Sequence, residues 1–198
     1  MSKISLKKGN SEKISLKKVA PLLRKVRMEF SWTSKVELDL DVSALLCRTN
    51  ATGEPQLISE KHIVFYAPTN SHDPSRSVFY GGDVRDGTGD LETIDINLET
   101  IGADVEEIAF VMTIEDSTGR KTFGHADTGM FKLFNAETND EILDFNFLED
   151  SHKSRSIIHV VSLKRNGDGW DIVGVGAGMN GDILKAFLLF GADRSWFE

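Results

Sequence analysis

Asp39 and Asp41 stand one residue apart in Leu38-Asp39-Leu40-Asp41-Val42-Ser43, and a glycine-rich acidic stretch follows about forty residues later. It reads Gly82-Asp83-Val84-Arg85-Asp86-Gly87-Thr88-Gly89-Asp90-Leu91-Glu92. Carboxylates in this density are the donors a hard cation takes. The first segment alternates apolar with oxygen-bearing residues, so period-two geometry sends Leu38, Leu40 and Val42 to one face and both aspartates to the other. From the strand rise, their attachment points lie roughly 6.5–7 Å apart. At an effective dielectric near 20, two negative charges at that separation repel by about 2–3 kcal/mol. Strands disfavour Asp as well, so the pattern asks for a compensating cation, and Asp83, Asp86, Asp90 and Glu92 are the candidates to complete its shell. The competing reading is a solvated acidic loop that balances the basic start of the chain.

The elements that must hold these residues read as strands. Alternation runs through Val26 to Trp32 and through 36–47, then recurs in 62–67, 77–80, 93–98, 108–115, 130–135, 142–148, 156–164 and 170–174. Turn residues punctuate nearly all of them, which predicts an antiparallel β-sandwich whose two amphipathic sheets cover each other's apolar faces. Helix is scarce: one short turn within 98–105, and a terminal helix over 182–190 with Asp182 as its cap and Gly191 as its stop. Ile4-Ser5-Leu6-Lys7-Lys8 recurs as Ile14-Ser15-Leu16-Lys17-Lys18, with Gly9-Asn10 opening the connection, and predicts two short edge strands joined by a turn.

At 198 residues, with 40% hydrophobic and 27% charged positions, the chain is expected to form one domain over 1–198. The net charge of −8 divides into +7 for residues 1–30 and −15 for the remainder. An acidic body disfavours nucleic acid as a partner. A lone Cys47 rules out an internal disulfide and, in its apolar run, reads as a buried thiol. The start of the chain lacks the apolar core of a secretory signal, and no window approaches a membrane span, so the cytoplasm is the expected location.

The order of the pieces is more specific than any one of them. Ile14-Ser15-Leu16-Lys17-Lys18, Lys25-Val26-Arg27, Trp32, Leu38-Asp39-Leu40-Asp41-Val42-Ser43-Ala44, Val64-Phe65-Tyr66, Ser77-Val78-Phe79 running into Gly82-Asp83, Gly87-x-Gly89-Asp90-x-Glu92, Ile94 to Leu98 and Thr113-Ile114-Glu115-Asp116 together resemble the TerD family of tellurium-resistance and stress-response proteins. The resemblance runs from about residue 3 to residue 191. It implies a cytoplasmic, calcium-binding β-sandwich that is not an enzyme and acts as a scaffold or regulator, with one or two Ca²⁺ ions and partners among proteins of the same stress-response pathway. Carried over residue by residue, the metal ligands fall on Asp39, Asp41, Asp83, Asp90, Glu92 and Asp116, with Asp86 as a further candidate. Val84 stands where the family usually has Asn, and the acidic stretch at 89–92 is shortened, so either Asp86 replaces a missing oxygen or one of the two calcium sites that the resemblance implies is weak. The residues themselves agree with calcium: it takes six to eight oxygens, and glycines let a loop turn its carbonyls inward.

The acidic stretch is not an EF-hand, because counting from Asp83 the third position is Arg85, the sixth Thr88 and the twelfth Ile94. The five histidines lack metal-ligand spacing, and no catalytic residues are predicted. The series Gly174-x-Gly176-x-Gly178 reads as close packing of a strand end against the terminal helix. Two alternatives are a metal-assisted phosphoester hydrolase built on Asp39, Asp41 and Asp90, and a Ca²⁺-dependent membrane-surface module. No general base supports the first, and no apolar residue at the tip of an acidic loop supports the second.

Overall fold

The computed structural model describes residues 4–6, 13–82, 91–116 and 118–198, together with the backbone of 83–85 and 90. Two sheets pack face to face. The first is ordered β1(Ile4–Ser5), β11(Glu141–Asn146), β10(Ala126–Asn135), β3(Lys25–Ser34), β8(Asp90–Asn97), β7(Val78–Arg85). The second is ordered β2(Lys13–Ser15), β13(Gly169–Met179), β12(Ile157–Asn166), β9(Glu107–Glu115), β4(Asp39–Thr49), β5(Pro55–Leu57), with β6(Ile63–Val64) also pairing β4. The pairings are antiparallel except that β1 runs parallel to β11.

Alternation explains the layering. In β3, Val26, Met28, Phe30 and Trp32 are buried while Lys25, Arg27 and Thr33 are exposed, so one face of the strand meets the second sheet. Leu40, Val42, Ala44 and Leu46 of β4 join them in the main core. The outer face of the second sheet is covered too. There Leu45, Cys47, Ala109, Val111 and Ile157 pack under α2(Ile183–Leu189) and its Phe187 and Phe190. Burial on both faces accounts for β9, in which every residue but Glu115 is buried. Asp182 caps α2 by accepting from the Lys185 N–H at 2.8 Å, and Gly191 at φ 78° ends it. Cys47 is buried and its pKa is raised by desolvation, as an inert core thiol. The tail also docks, with the Phe197 ring 5.8 Å from that of Phe187.

Two expectations require correction. The copies of the N-terminal repeat do not form a hairpin with each other: β1 adds to β11 in the first sheet and β2 adds to β13 in the second. Each copy then drops its leucine into the core, with Leu6 at 5% and Leu16 at 2% exposure. Pairing separately gives each short strand an established sheet edge, whereas a bare two-stranded hairpin is marginal in water. The 174–178 glycine series belongs to β13, and Gly178 lies against the 152–155 segment, where an added Cβ would come within 2.8 Å of Arg155 and 2.9 Å of His152.

Candidate metal centre

The β4 strand places Asp39 and Asp41 on the outer face of the second sheet, both half-buried, while Leu40 and Val42 point into the core at 1% and 0% exposure. Register with β9 sets Asp39 opposite Glu115 and Asp41 opposite Thr113. Like charges directly across an antiparallel ladder repel, so this row gains from a cation. Ser43 continues the same face toward the helix. Its Oγ and the Oγ1 of Thr113 are buried without a hydrogen-bond partner, an unusual state for hydroxyls that native interiors nearly always satisfy. Tyr66 reports the same field: desolvation first, then the charges of Asp41 and Glu115, raise its pKa.

The acidic stretch comes to this end of the sandwich. Trp32 near the end of β3 pairs with Asp90, and the β7–β8 ladder sets Asp83 opposite Glu92 and Arg85 opposite Asp90. The chain passes from the end of β3 directly into β4, which begins at Asp39. The hairpin and the aspartate pair therefore share one end. Asp86 lies outside the described residues, as do the side chains of Asp83 and Asp90.

Glu92 takes a role of its own. It follows the parity of Ile94 and Ile96, so it points into the sandwich and is 3% exposed. Its Oε1 accepts from the Tyr80 hydroxyl at 2.6 Å, and its Oε2 accepts from the Val42 N–H of the opposite sheet. That N–H lies on the side of β4 away from β9, in a stretch that precedes the β6 pairing at Ala44, so a carboxylate from the facing sheet does the work of a missing strand. Glu92 thus ties the two sheets together beside Asp41.

Asp116 organises the turn that follows β9. Its Oδ1 accepts from the Thr118 N–H at 3.0 Å and the Thr118 hydroxyl at 2.7 Å, and its Oδ2 accepts from the N–H groups of Arg120 at 2.7 Å and Lys121 at 2.6 Å. Gly119 at φ 64° lets the chain close around it. These donors hold its carboxyl well below the usual range.

Calcium takes six to eight oxygens. Asp39, Asp41 and Glu115 are donors of the correct hard type, with the unpartnered Ser43 and Thr113 hydroxyls beside them. Among the described residues, no three His, Cys, Asp or Glu side chains gather closely enough to hold an ion by themselves. A full shell would therefore have to draw on 83–90. Glu115 was not singled out in the sequence, although its place in the outward parity of Val111 and Thr113 was a usable signal. Asp73 was also missed. It is 1% exposed, and its carboxylate caps the Ser77 and Val78 N–H groups at 2.7 Å, a structural use in the turn before β7.

A two-sheet body with an aspartate row beside an acidic hairpin defines a β-sandwich with a carboxylate cluster at the end where β4 begins. The chain matches the TerD domain over residues 1–189, and it belongs to the TerD family. It is 29% identical to tellurium resistance protein TerD of Serratia marcescens over 199 residues, covering 97% of this chain and 99% of that one. It is 32% identical to general stress protein 16U of Bacillus subtilis (strain 168) over 190 residues, covering 92% and 94%. A solved structure of a homologue of telluride resistance protein (TerD) from Streptomyces coelicolor A3(2) superimposes with a TM-score of 0.66 at 19% identity, covering 86% of this chain and 99% of that one.

Proposed function

We propose that this protein is a cytoplasmic, non-enzymatic calcium-binding scaffold of a tellurium-resistance or stress-response system. The relatives' names supply the physiological setting. The observation that carries the calcium reading is the Asp39–Glu115 cross-strand pair next to Asp41, at the end of the sandwich where the 83–92 hairpin returns. Asp39 and Asp41 would hold the ion with oxygens from Asp83, Asp86 and Asp90. Calcium would supply the positive charge that offsets the repulsion along this row. Glu92 and Asp116 act beside it: Glu92 fixes β4 against β8, and Asp116 fixes the 116–121 turn. A carboxylate oxygen keeps a second lone pair while accepting one hydrogen bond, so Glu92 retains capacity toward an ion.

Binding to the folded state alone stabilises it, by about 2.7 kcal/mol when the ion is at a hundred times its dissociation constant. A quieter, neutralised acidic end would present one surface to proteins of the same pathway in place of a repelling set of charges. The test is calorimetric titration of Ca²⁺ into chelated protein, alongside thermal melting. Saturable heat and a raised melting temperature are expected. An unchanged melting curve at millimolar Ca²⁺ would remove the basis of this reading.

A further inference from the structure

At the end of the sandwich away from Asp39 and the acidic hairpin, the segment between α1(Leu16–Val19) and β3 makes a tight turn in which the Leu23 N–H bonds the Ala20 carbonyl at 3.0 Å. Pro21 and Leu22 occupy its two corners. Corner positions of turns normally go to Asn, Asp, Ser or Gly beside a Pro, yet here the second corner is a leucine 83% exposed, the most exposed large apolar side chain among the described residues. Val19 and Leu23 on either side of the turn pack against the core. The fold thus anchors the loop with two apolar residues and holds the third out in water, next to a corner whose φ the proline fixes.

The segment that carries Leu22 is cationic, while neighbouring elements bring carboxylates to the same end: Asp140 and Glu141 line the hollow beside Val19 and Ala20, and the Ala136 N–H that bonds the Lys25 carbonyl precedes Glu137. Residues 13–28 contain Lys13, Lys17, Lys18, Arg24, Lys25 and Arg27 and no acidic residue. Lys17, Lys18, Arg24 and Lys25 flank the turn, and all four are exposed. Two have carboxylate neighbours, Lys17 with Asp168 at 2.5 Å and Arg24 with Glu99 at 3.7 Å, and these are open surface pairs of the kind that contribute little and exchange readily. Lys18 and Lys25 have no carboxylate within 4 Å among the described residues. An exposed apolar tip with two cations on either side of it in the chain matches the interface of a bilayer, where the apolar group enters the headgroup boundary and the ammonium groups meet anionic lipid. A carboxylate-rich protein surface would match the cations but leave the leucine without a reason.

We propose that the Pro21-Leu22 turn docks this protein onto anionic lipid membranes without calcium, Leu22 entering the headgroup layer and Lys17, Lys18, Arg24 and Lys25 facing the lipid phosphates. The acidic end, about 23 Å away along β3 by strand rise, would then point toward the solvent. This attachment is independent of the calcium reading, and the test separates the two by working in chelator.

The full chain is sedimented in EDTA with vesicles of phosphatidylglycerol and phosphatidylcholine in equal parts, and with phosphatidylcholine alone. Binding to the anionic vesicles, none to the neutral ones, and release at high salt are expected. Leu22→Glu, and separately Lys18→Glu with Lys25→Glu, should each lower partitioning by about tenfold or more, given the worth of one buried apolar side chain or two charges near anionic lipid. Melting curves like the parent's would confirm that both variants are folded. The proposal is overturned if the anionic vesicles fail to bind the chain in EDTA, if neutral vesicles bind it equally, or if Leu22→Glu binds like the parent. A loop that serves an acidic protein instead of lipid would give the first of these results.

Discussion

At the end of the sandwich where β4 begins, Asp39 faces Glu115 across a ladder, whereas at the far end Leu22 sits on the corner of a turn among four cations. The acidic side chains are spaced by backbone pairing, with neighbours fixed by register and a buried carboxylate, Glu92, holding the strand that bears them. The cationic ones are spaced by a loop that two partly buried residues pin to the core. Strand pairing suits a small ion, whose ligands must keep distances to fractions of an ångström. A loop suits a broad surface, where charge and depth matter more than register.

The comparison predicts unequal sensitivity. Glu92→Ala should cost about 3 kcal/mol, since the Val42 N–H and the Tyr80 hydroxyl lose a charged acceptor in a buried place. A urea midpoint that barely moves would show that the acidic end does not depend on this tie. Glu92→Gln should recover part of the loss, because an amide oxygen still accepts. Next in size, Asp41→Asn should weaken Ca²⁺ binding at least tenfold, about 1.4 kcal/mol, by calorimetry. Equal affinities in variant and parent would break the assignment of the aspartate row.

A third test concerns acid, midway between the two ends. His159 lies under α2 with its ring 5.3 Å from that of Phe190, and its Nε2 is 2.8 Å from the Ser162 hydroxyl, which in turn donates to Glu107 at 2.6 Å. Desolvation lowers its pKa to about 4, against the opposing pull of the Glu107 charge, while the Lys164 charge lowers it further. The neutral ring belongs to the folded state, so its stabilisation is complete above about 6.5, its ordinary pKa, and is lost as pH falls from there toward 4. Stability measured at pH 7 and pH 5 should differ, and His159→Gln should flatten that difference. At the small end of the range, Leu22→Ser should change stability by no more than about 0.5 kcal/mol, since an exposed corner has little to lose. A larger destabilisation would mean that Leu22 packs, and would sharpen the contrast by making the far end structural as well.

Much of the fold was legible. The alternation that sends Leu40 and Val42 inward is local, as are the Asp182 cap and the apolar run around Cys47, and each behaves as its neighbours in the chain dictate. Glu92 was half legible: its parity with Ile94 and Ile96 was a signal that it faces inward, but nothing in its acidic neighbours announced the bond it accepts from the Val42 N–H. Asp116 entered the ligand set through the resemblance, and the donors its carboxylate accepts from belong to a turn whose closure no spacing announces. The repeat misled because two identical pentapeptides suggest each other as partners, while the edges they join belong to strands more than 100 residues away.

By itself, then, the sequence determined the two-layered β architecture, the shared face of Asp39 and Asp41, and membership of the TerD family, because side-chain parity and motif order are properties of the chain read in one dimension. Tertiary structure alone decided that Glu115 stands across from Asp39, that Glu92 serves β4 from the opposite sheet, and that Leu22 is left in water while Val19 and Leu23 are partly covered. Each of these depends on which strand lies beside which, and that is settled by the joint burial of residues far apart in the chain.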